Sequence, residues 1–169
     1  IGLGNLLHER GDQEGAVSNF ARAVTFAPQS VAALNNYASI LFEIGNSEET
    51  LNYSQRILSL APNHLPSLRR VGKILRQAGL VAEALQNNVN GLKHHPSDVF
   101  LLHETGKLFD FSKNPAQALH YYRRALEHAP ERNDIRNNIS KSLHDVGEVA
   151  QAREHLQYII DQNGGCLLY

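Results

Sequence analysis

The sequence has 169 residues, a formal net charge of -1 and a single cysteine. This charge balance argues against a nucleic-acid-binding domain, which is usually strongly basic, and one cysteine excludes an internal disulfide. Apolar runs stay well short of the about 20 residues that a membrane span needs. We therefore expect neither a nucleic-acid partner nor a membrane partner, and a cytoplasmic location rather than a secreted one.

The chain begins at Ile1 inside a predicted helix and contains no methionine, which indicates a piece of a longer protein. The first complete pattern covers residues 31–64, where apolar residues recur at helical spacing on both sides of Gly45. We expect Gly45 to end one helix, and Asn46 or Ser47 to cap the next. This stretch predicts a helix-turn-helix unit.

The same pattern returns every 34 residues, as the prolines show at positions 28, 62, 96 and 130. A column of mostly large side chains contains Leu3, Tyr37, Val71, Thr105 and Ile139. The column beside it stays small, with Gly4, Ala38, Gly72, Gly106 and Ser140. The sequence thus predicts five units, at residues 1–30, 31–64, 65–98, 99–132 and 133–166, and a tail at 167–169.

This order of large, small and large residues in the first helix, followed by alanine, aromatic, alanine and proline positions, resembles the tetratricopeptide repeat (TPR). The resemblance covers almost the whole chain. It implies an all-α, right-handed α-solenoid of about five repeats that acts as a scaffold for protein-protein interaction. It implies neither a cofactor nor a catalytic role.

One turn and one helix depart from the family pattern. Lys113 stands where a turn glycine is usual, although Asn114 followed by Pro115 favours the start of a helix, so we expect the turn to persist. Asn88 and Gly91 replace bulky residues, which predicts looser packing of the second helix in unit three.

The last unit also departs, because Arg136 stands where three earlier units have leucine. This fits a partly polar capping repeat. The apolar residues Tyr158, Ile159 and Ile160 and the tail from Leu167 favour the alternative, in which another helix covered this surface. The chain ends are then expected to support self-association.

One charged surface stands out in the first helix of unit three, whose only charged residues are Arg69, Arg70, Lys73 and Arg76. Helical geometry places them opposite the apolar residues of the same helix. A solvated helix face explains them without any ligand. The TPR resemblance implies instead that this helix lines a concave groove, where the four cations would bind an acidic peptide.

The resemblance extends this peptide site to neighbouring units. Lys73, Lys107 and Lys141 are spaced at 34 residues, so a regular array would stack them. Asparagine side chains can hold a peptide backbone without selecting its side chains. The site implied by the resemblance therefore also includes Asn35, Asn36 and Asn138.

Some co-chaperones of this family grip the acidic C terminus of a heat-shock chaperone with a carboxylate clamp. Asn5, Asn36 and Arg70 match three of its five positions. Ile1 and Pro66 stand where the clamp has lysines, which argues against that particular partner.

No catalytic or metal-binding motif is present, since the nine histidines include no HExxH and the serines no GxSxG. The residues around Cys166 fit a prenylation box only formally. A non-enzymatic scaffold is the favoured interpretation. The alternative is the substrate-recognition region of a larger enzyme, such as a glycosyltransferase resembling the O-linked N-acetylglucosamine transferases.

Overall fold

The computed structural model describes residues 11–164, and over this range it contains nine α-helices and no strand. They are α1 (Gln13–Phe26), α2 (Val31–Glu43), α3 (Ser47–Leu60), α4 (Leu65–Gln77), α5 (Val81–His94), α6 (Val99–Phe111), α7 (Pro115–His128), α8 (Asn133–Asp145) and α9 (Val149–Gly164). The all-α prediction is confirmed. The helices fall into two compact units, Ile1–Ala78 and Gly79–Tyr169.

Unit 1 contains α1 to α4 within the described residues, and each helix packs against the next one in the chain. Its core is built where α1, α2 and α3 meet. The residues of this core are buried and almost all apolar, because each helix carries apolar residues on one side; they include Phe20, Leu34, Tyr37, Leu41 and Ile57.

Unit 2 contains α5 to α9, again with consecutive helices in contact. The helices α6 and α7 approach each other closely, because a Cβ added to Gly106 would overlap the ring of Tyr122. Tyr122 is fully buried. The small residue in the predicted column therefore lets the tyrosine ring pack directly on the α6 backbone.

The helix ends agree with the sequence expectations. Gly45 follows α2 with a φ of +82°, and the Asn46 side chain accepts a hydrogen bond from the Glu49 amide at the start of α3. Lys113 adopts a φ of +57°, in the same left-handed region as Gly45 and Gly147. The turn persists, and Asn114 caps α7 by accepting from the Gln117 amide at 3.2 Å.

Asn88 is fully buried in α5, and its Nδ2 has no hydrogen-bond partner within the described residues. In the equivalent positions, α1 has Phe20 and α7 has Tyr122, both buried. A buried N–H group without a partner costs free energy, although Asn88 Oδ1 accepts from Asn87 at 3.0 Å. The looser packing of this helix stays a prediction.

Arg136 stands at a position where three earlier repeats have leucine, and its guanidinium lies on an aromatic ring. Its guanidinium carbon is 3.7 Å from the Tyr158 ring centroid, and its Nη2 donates to the Pro130 carbonyl at 2.9 Å. The equivalent residues Leu34, Leu68 and Leu102 are buried, whereas Arg136 is half-buried.

Residues 1–10, which begin the first predicted repeat, lie outside the described residues. So does the tail that contains Cys166 and Leu167. The division into five repeats with the boundaries given above stays a prediction. Within the part of the chain that the structure describes, no helix is long and apolar enough to cross a membrane.

The left-handed backbone at Lys113 yields a stability prediction. We expect Lys113→Gly to raise the free energy of unfolding by up to about 1 kcal/mol, because a residue with a Cβ is strained at positive φ. Chemical denaturation followed by circular dichroism measures the change. Ser112→Gly is the matched control, since Ser112 has a φ of -79° and gains nothing from glycine. A Lys113→Gly variant that is less stable than the wild type would contradict the expectation.

Candidate functional site

In unit 1 the first helices of two neighbouring predicted repeats, α2 and α4, contact each other. The side chains on one side of this pair form what we call the basic face. It comprises Asn35, Asn36, Ser39 and Phe42 of α2 with Arg69, Arg70, Lys73 and Arg76 of α4. Spacings of three and four residues bring these side chains to the same side of each helix.

Arg70 is buried, with only 9% of its surface exposed, so the prediction that it points away from the packed residues is wrong. Its guanidinium donates to Asn35 Oδ1 at 2.7 Å and to Ser39 Oγ at 3.0 Å, both on α2. Longer bonds reach Ser54 and Ser67, at 3.4 and 3.5 Å. Four small polar side chains therefore make room for the arginine between the helices.

All four acceptors of Arg70 are uncharged, and no carboxylate bonds to it within the described residues. Burial lowers the pKa of the Arg70 guanidinium, yet an arginine keeps its proton in proteins. A buried positive charge without a carboxylate partner leaves a positive potential at the basic face.

Lys73 lies over the ring of Phe42, with its Nζ 4.9 Å from the ring centroid. This cation-π contact fixes the lysine without neutralising its charge. Asn36, Arg69 and Arg76 are half-buried on the same face. The basic face thus holds every predicted site residue of unit 1, with Arg70 as the buried member.

The corresponding surface of unit 2 lies on α6 and α8, which also contact each other. We call it the mixed face, because it carries both acidic and basic groups. Its members are His103, Glu104, Lys107 and Asp110 of α6 and Asp134, Asn138 and Lys141 of α8.

The lysines of the mixed face differ from each other. Lys107 Nζ forms a 2.6 Å ion pair with Glu104, which is 5% exposed. Lys141 is exposed on α8. Since the charge of Lys107 is already matched, it adds less to an anion site than the sequence predicts. The stacked row of Lys73, Lys107 and Lys141 spans both units and stays a prediction.

Asn138 donates from its Nδ2 to His103 Nε2 at 2.7 Å. Because an amide nitrogen only donates, His103 is neutral and carries its proton on Nδ1, which faces Asp134 Oδ2 at 3.7 Å. Asp134 in turn accepts two bonds from Arg132, at 2.7 and 2.6 Å. This pairing, mainly the hydrogen bond from Arg132, lowers the pKa of Asp134 to about 2.

Asp110 joins three helices of unit 2. Its carboxylate accepts from the Tyr122 hydroxyl on α7 and from Ser142 Oγ on α8, each at 2.8 Å. The bond from Tyr122 satisfies the polar end of a fully buried ring. Asp110 therefore fixes α6, α7 and α8 to one another, and the mixed face is held rigidly.

The two faces share one feature that sequence reasoning missed. Asn35 bonds Arg70, and His103 bonds Asn138, and both pairs are separated by 35 residues. The 34-residue repeat could have indicated these pairs. In both units, a residue of one repeat bonds the residue one position after its equivalent in the next repeat. Phe42, His103 and Glu104 were also missed, because no residue type alone marks them as part of a surface.

Metal binding finds no support among the residues described, since no group of three or more His, Cys, Asp and Glu side chains could hold an ion there. The chemistry available on both faces is hydrogen bonding, charge and cation-π contact. Such faces are suited to holding a polar chain.

Comparison with known proteins identifies the class. Two models of the tetratricopeptide repeat match the sequence, one over residues 104–165 and another over residues 31–64. They cover more than half of the chain together, and the chain belongs to the tetratricopeptide repeat family. No curated protein matches the sequence significantly.

Solved structures show the same fold at low identity. MamA from Desulfovibrio magneticus RS-1 has a TM-score of 0.88 at 16% identity, over 97% of this chain and 93% of that chain. A thermophilic TPR protein from Thermus thermophilus has a TM-score of 0.68 at 19% identity, over 95% and 88%. YrrB, described as a TPR protein with an unusual peptide-binding site, reaches 0.77 at 16% identity, over 94% and 81%.

The buried His103 predicts a pH dependence of stability. Burial and, to a smaller extent, Lys107 and Arg132 lower its pKa to about 4, against the opposing effects of Asp134 and Glu104. An unfolded histidine titrates near 6.5, so between pH 6.5 and 4 the unfolded chain binds the proton more readily. Stability is therefore lost as the pH falls through this window, by about 3 kcal/mol from this group.

Replacing the histidine tests this assignment. Denaturant melts of His103→Gln between pH 7 and 4 should show a smaller loss of stability on acidification than the wild type shows. His120→Gln, an exposed histidine of the same unit, is the control and should keep the wild-type pH dependence. Equal pH profiles for His103→Gln and the wild type would refute the role of His103.

Proposed function

We propose that the chain is a protein-interaction scaffold that binds an acidic peptide segment on the basic face of unit 1. The tetratricopeptide fold is typical of such scaffolds, and YrrB, which shares the fold, is described as having a peptide-binding site. The observation that carries the acidic preference is the buried Arg70, whose positive charge meets uncharged acceptors alone among the described residues.

The charge of Arg70 acts together with its neighbours on α4. Arg69, Lys73 and Arg76 are the other charged residues of that helix, and all are basic. An anionic ligand is attracted mainly by the charges of Arg70 and Lys73, and the low dielectric around Arg70 strengthens its share. The basic face therefore favours aspartate, glutamate or a terminal carboxylate.

Two features of the face support a fixed binding geometry. Lys73 is held over Phe42, so less side-chain freedom is lost when it meets a carboxylate. Arg70 donates a hydrogen bond to Asn35 Oδ1, so the Nδ2 group of Asn35 points away from the guanidinium. Asn36 adds a second amide on α2 for the peptide backbone.

The mixed face of unit 2 supports a different contribution. Glu104 matches Lys107, and Arg132 matches Asp134, so this surface has little excess charge. Asn138 uses its Nδ2 on His103, and its Oδ1 is the atom suited to a ligand backbone N–H. In this proposal Lys107, Asn138 and Lys141 form a separate binding surface on unit 2, which holds a polar ligand by hydrogen bonds and screened charge. The acidic preference belongs to the basic face of unit 1.

Binding of an acidic probe peptide tests the basic face. The probe is a fluorescently labelled peptide that ends in Asp-Glu-Glu-Asp with a free C-terminal carboxylate. Its binding is measured by fluorescence anisotropy. A hydrogen bond to a charged group contributes about 1.5 to 3 kcal/mol, so the double variant Arg69→Ala, Lys73→Ala should bind at least tenfold more weakly. Affinity should also fall with added salt, since the Debye length is about 8 Å at physiological ionic strength.

Two controls separate this result from loss of fold. Arg22→Ala removes an exposed cation from α1 of the same unit and should leave affinity unchanged. The peptide with Asn and Gln in place of the acids should bind weakly to every variant. Arg70→Lys is expected to lower both stability and affinity, because lysine cannot reproduce the guanidinium contacts to α2. Unchanged binding of the acidic probe to the double variant would show that the cations are an ordinary solvated surface.

Self-association through the chain ends at residues 1–10 and 165–169 is a second part of the proposal. Apolar residues such as Leu7 and Leu168 in these segments support it. We expect sedimentation velocity to show a mass that rises with protein concentration. Removing residues 165–169 should reduce this effect, and a constant monomer mass for the full chain would rule it out.

A further inference from the structure

Arg70 determines how the polar side chains around it are oriented. A guanidinium has five N–H donors and no acceptor, so a group that bonds to it must present an acceptor. Asn35 presents its Oδ1, which accepts from Arg70 Nη2 at 2.7 Å. The Nδ2 group of the same amide can only donate, and it is held on the side away from Arg70.

The hydroxyl of Ser39 is oriented in the same way. Its oxygen accepts from Arg70 Nη1 at 3.0 Å, so its own hydrogen points elsewhere. A hydrogen bond from a cation also polarises a hydroxyl, which makes it a better donor. Neither this hydroxyl nor Asn35 Nδ2 donates to another group within the part of the chain that the structure describes. Both residues are half-buried, and they lie one helical turn apart on α2.

The bonds that Arg70 makes leave one of its own donors for a ligand. Its Nε–H bonds to Ser54, and the two N–H groups of Nη2 serve Asn35 and Ser67. Nη1 has two N–H groups, of which Ser39 accepts one. Arg70 is also only 9% exposed. It can therefore offer a ligand one N–H, and not the bidentate contact that arginine often makes with a carboxylate.

Lys73 completes this arrangement from the next turn of α4. Its ammonium group, which can only donate, is held over Phe42 on α2. We call the four groups the donor subsite: Asn35 Nδ2, the Ser39 hydroxyl, the remaining N–H of Arg70 Nη1, and Lys73 Nζ. Two of them are neutral, and their orientation depends on Arg70.

We propose that one carboxylate of the acidic peptide binds at the donor subsite, where it accepts from Asn35 Nδ2 and from the Ser39 hydroxyl. Arg70 is a positioning residue for these two groups, and it adds its charge and a single N–H. A carboxylate offers acceptors alone, whereas the amide of asparagine or glutamine brings an NH₂ group that would meet other donors. The donor subsite thus separates an acid from its amide by hydrogen bonding as well as by charge. This inference rests on the proposed function, because it concerns the same ligand.

The mixed face of unit 2 has a different arrangement at the equivalent positions. The two α2 residues of the donor subsite correspond to His103 and Lys107. Lys107 bonds to Glu104, and the Nδ1 of His103 faces Asp134. Both donors are turned to carboxylates of the chain itself, so the donor subsite belongs to the basic face.

A change that leaves the charge unaltered tests the contact with Ser39. The probe is the labelled peptide that ends in Asp-Glu-Glu-Asp, and its binding is measured by fluorescence anisotropy. We expect Ser39→Ala to bind it at least fivefold more weakly, and Ser39→Thr, which keeps the hydroxyl, to bind within about twofold of the wild type. If Ser39 serves only to bond Arg70, Ser39→Ala instead frees a second N–H of Arg70, and binding stays the same or becomes tighter.

Nuclear magnetic resonance tests the contact with Asn35. In ¹⁵N-labelled protein, the side-chain amide signals of Asn35, identified by their loss in Asn35→Asp, should move when the probe is added. Asn52 is exposed on α3 of the same unit, and its signals should stay in place. Asn35→Asp keeps an acceptor for Arg70 but removes both N–H donors, so it should lose the preference for the acidic probe over the Asn and Gln peptide. Ala32→Asp adds the same charge at an exposed position of α2 and should keep that preference.

These measurements separate failure of the donor subsite from failure of the proposed function. A wild type that does not bind the probe would refute both. If the wild type binds and the double variant Arg69→Ala, Lys73→Ala weakens binding, two results overturn the donor subsite alone. They are undiminished binding to Ser39→Ala and unmoved amide signals of Asn35, and either one would assign the acidic preference to charge. Circular dichroism checks that each variant keeps its helical content.

Discussion

The contact between Gly106 and the Tyr122 ring sets how closely a first helix approaches its second helix in unit 2. Ser140 occupies the same column in the next repeat, and it is close enough to α9 to donate to the Ala152 carbonyl at 2.9 Å. Ala38, in that column of unit 1, is fully buried. Among the described residues, each first helix contacts both its own second helix and the preceding helix, and the basic face and the mixed face lie on a third side.

Much of this organisation could be predicted from the sequence, since it depends on local patterns. The apolar periodicity gives the helices, and Gly45 and Asn46 give the end of α2 and the start of α3. Even the exception at Lys113 was predictable, because the Asn114-Pro115 pair after it favours a helix start. These features need only neighbouring residues to be specified.

The position of Arg70 could not be predicted from its own helix. Its place between the helices depends on four small polar side chains, two of them on α2 and one on α3. A helical projection treats an arginine as solvent-facing, since burial of a charge is costly unless hydrogen bonds compensate. His103 was missed for the same reason, because its partners Asn138 and Asp134 both lie on α8. Contacts between repeats, rather than along a helix, decide these cases.

Asn88 gives the chain a place where order is lost first. In an array whose stability is a sum over neighbouring repeats, we expect a repeat whose buried Nδ2 has no hydrogen-bond partner among the described residues to open at a lower free energy than the repeats beside it. Amide protons of α5 would then exchange with solvent through local opening. Those of α7, which is anchored by the bond between Tyr122 and Asp110, would exchange only when a larger part of the array unfolds. We therefore expect α5 to open before α7 does.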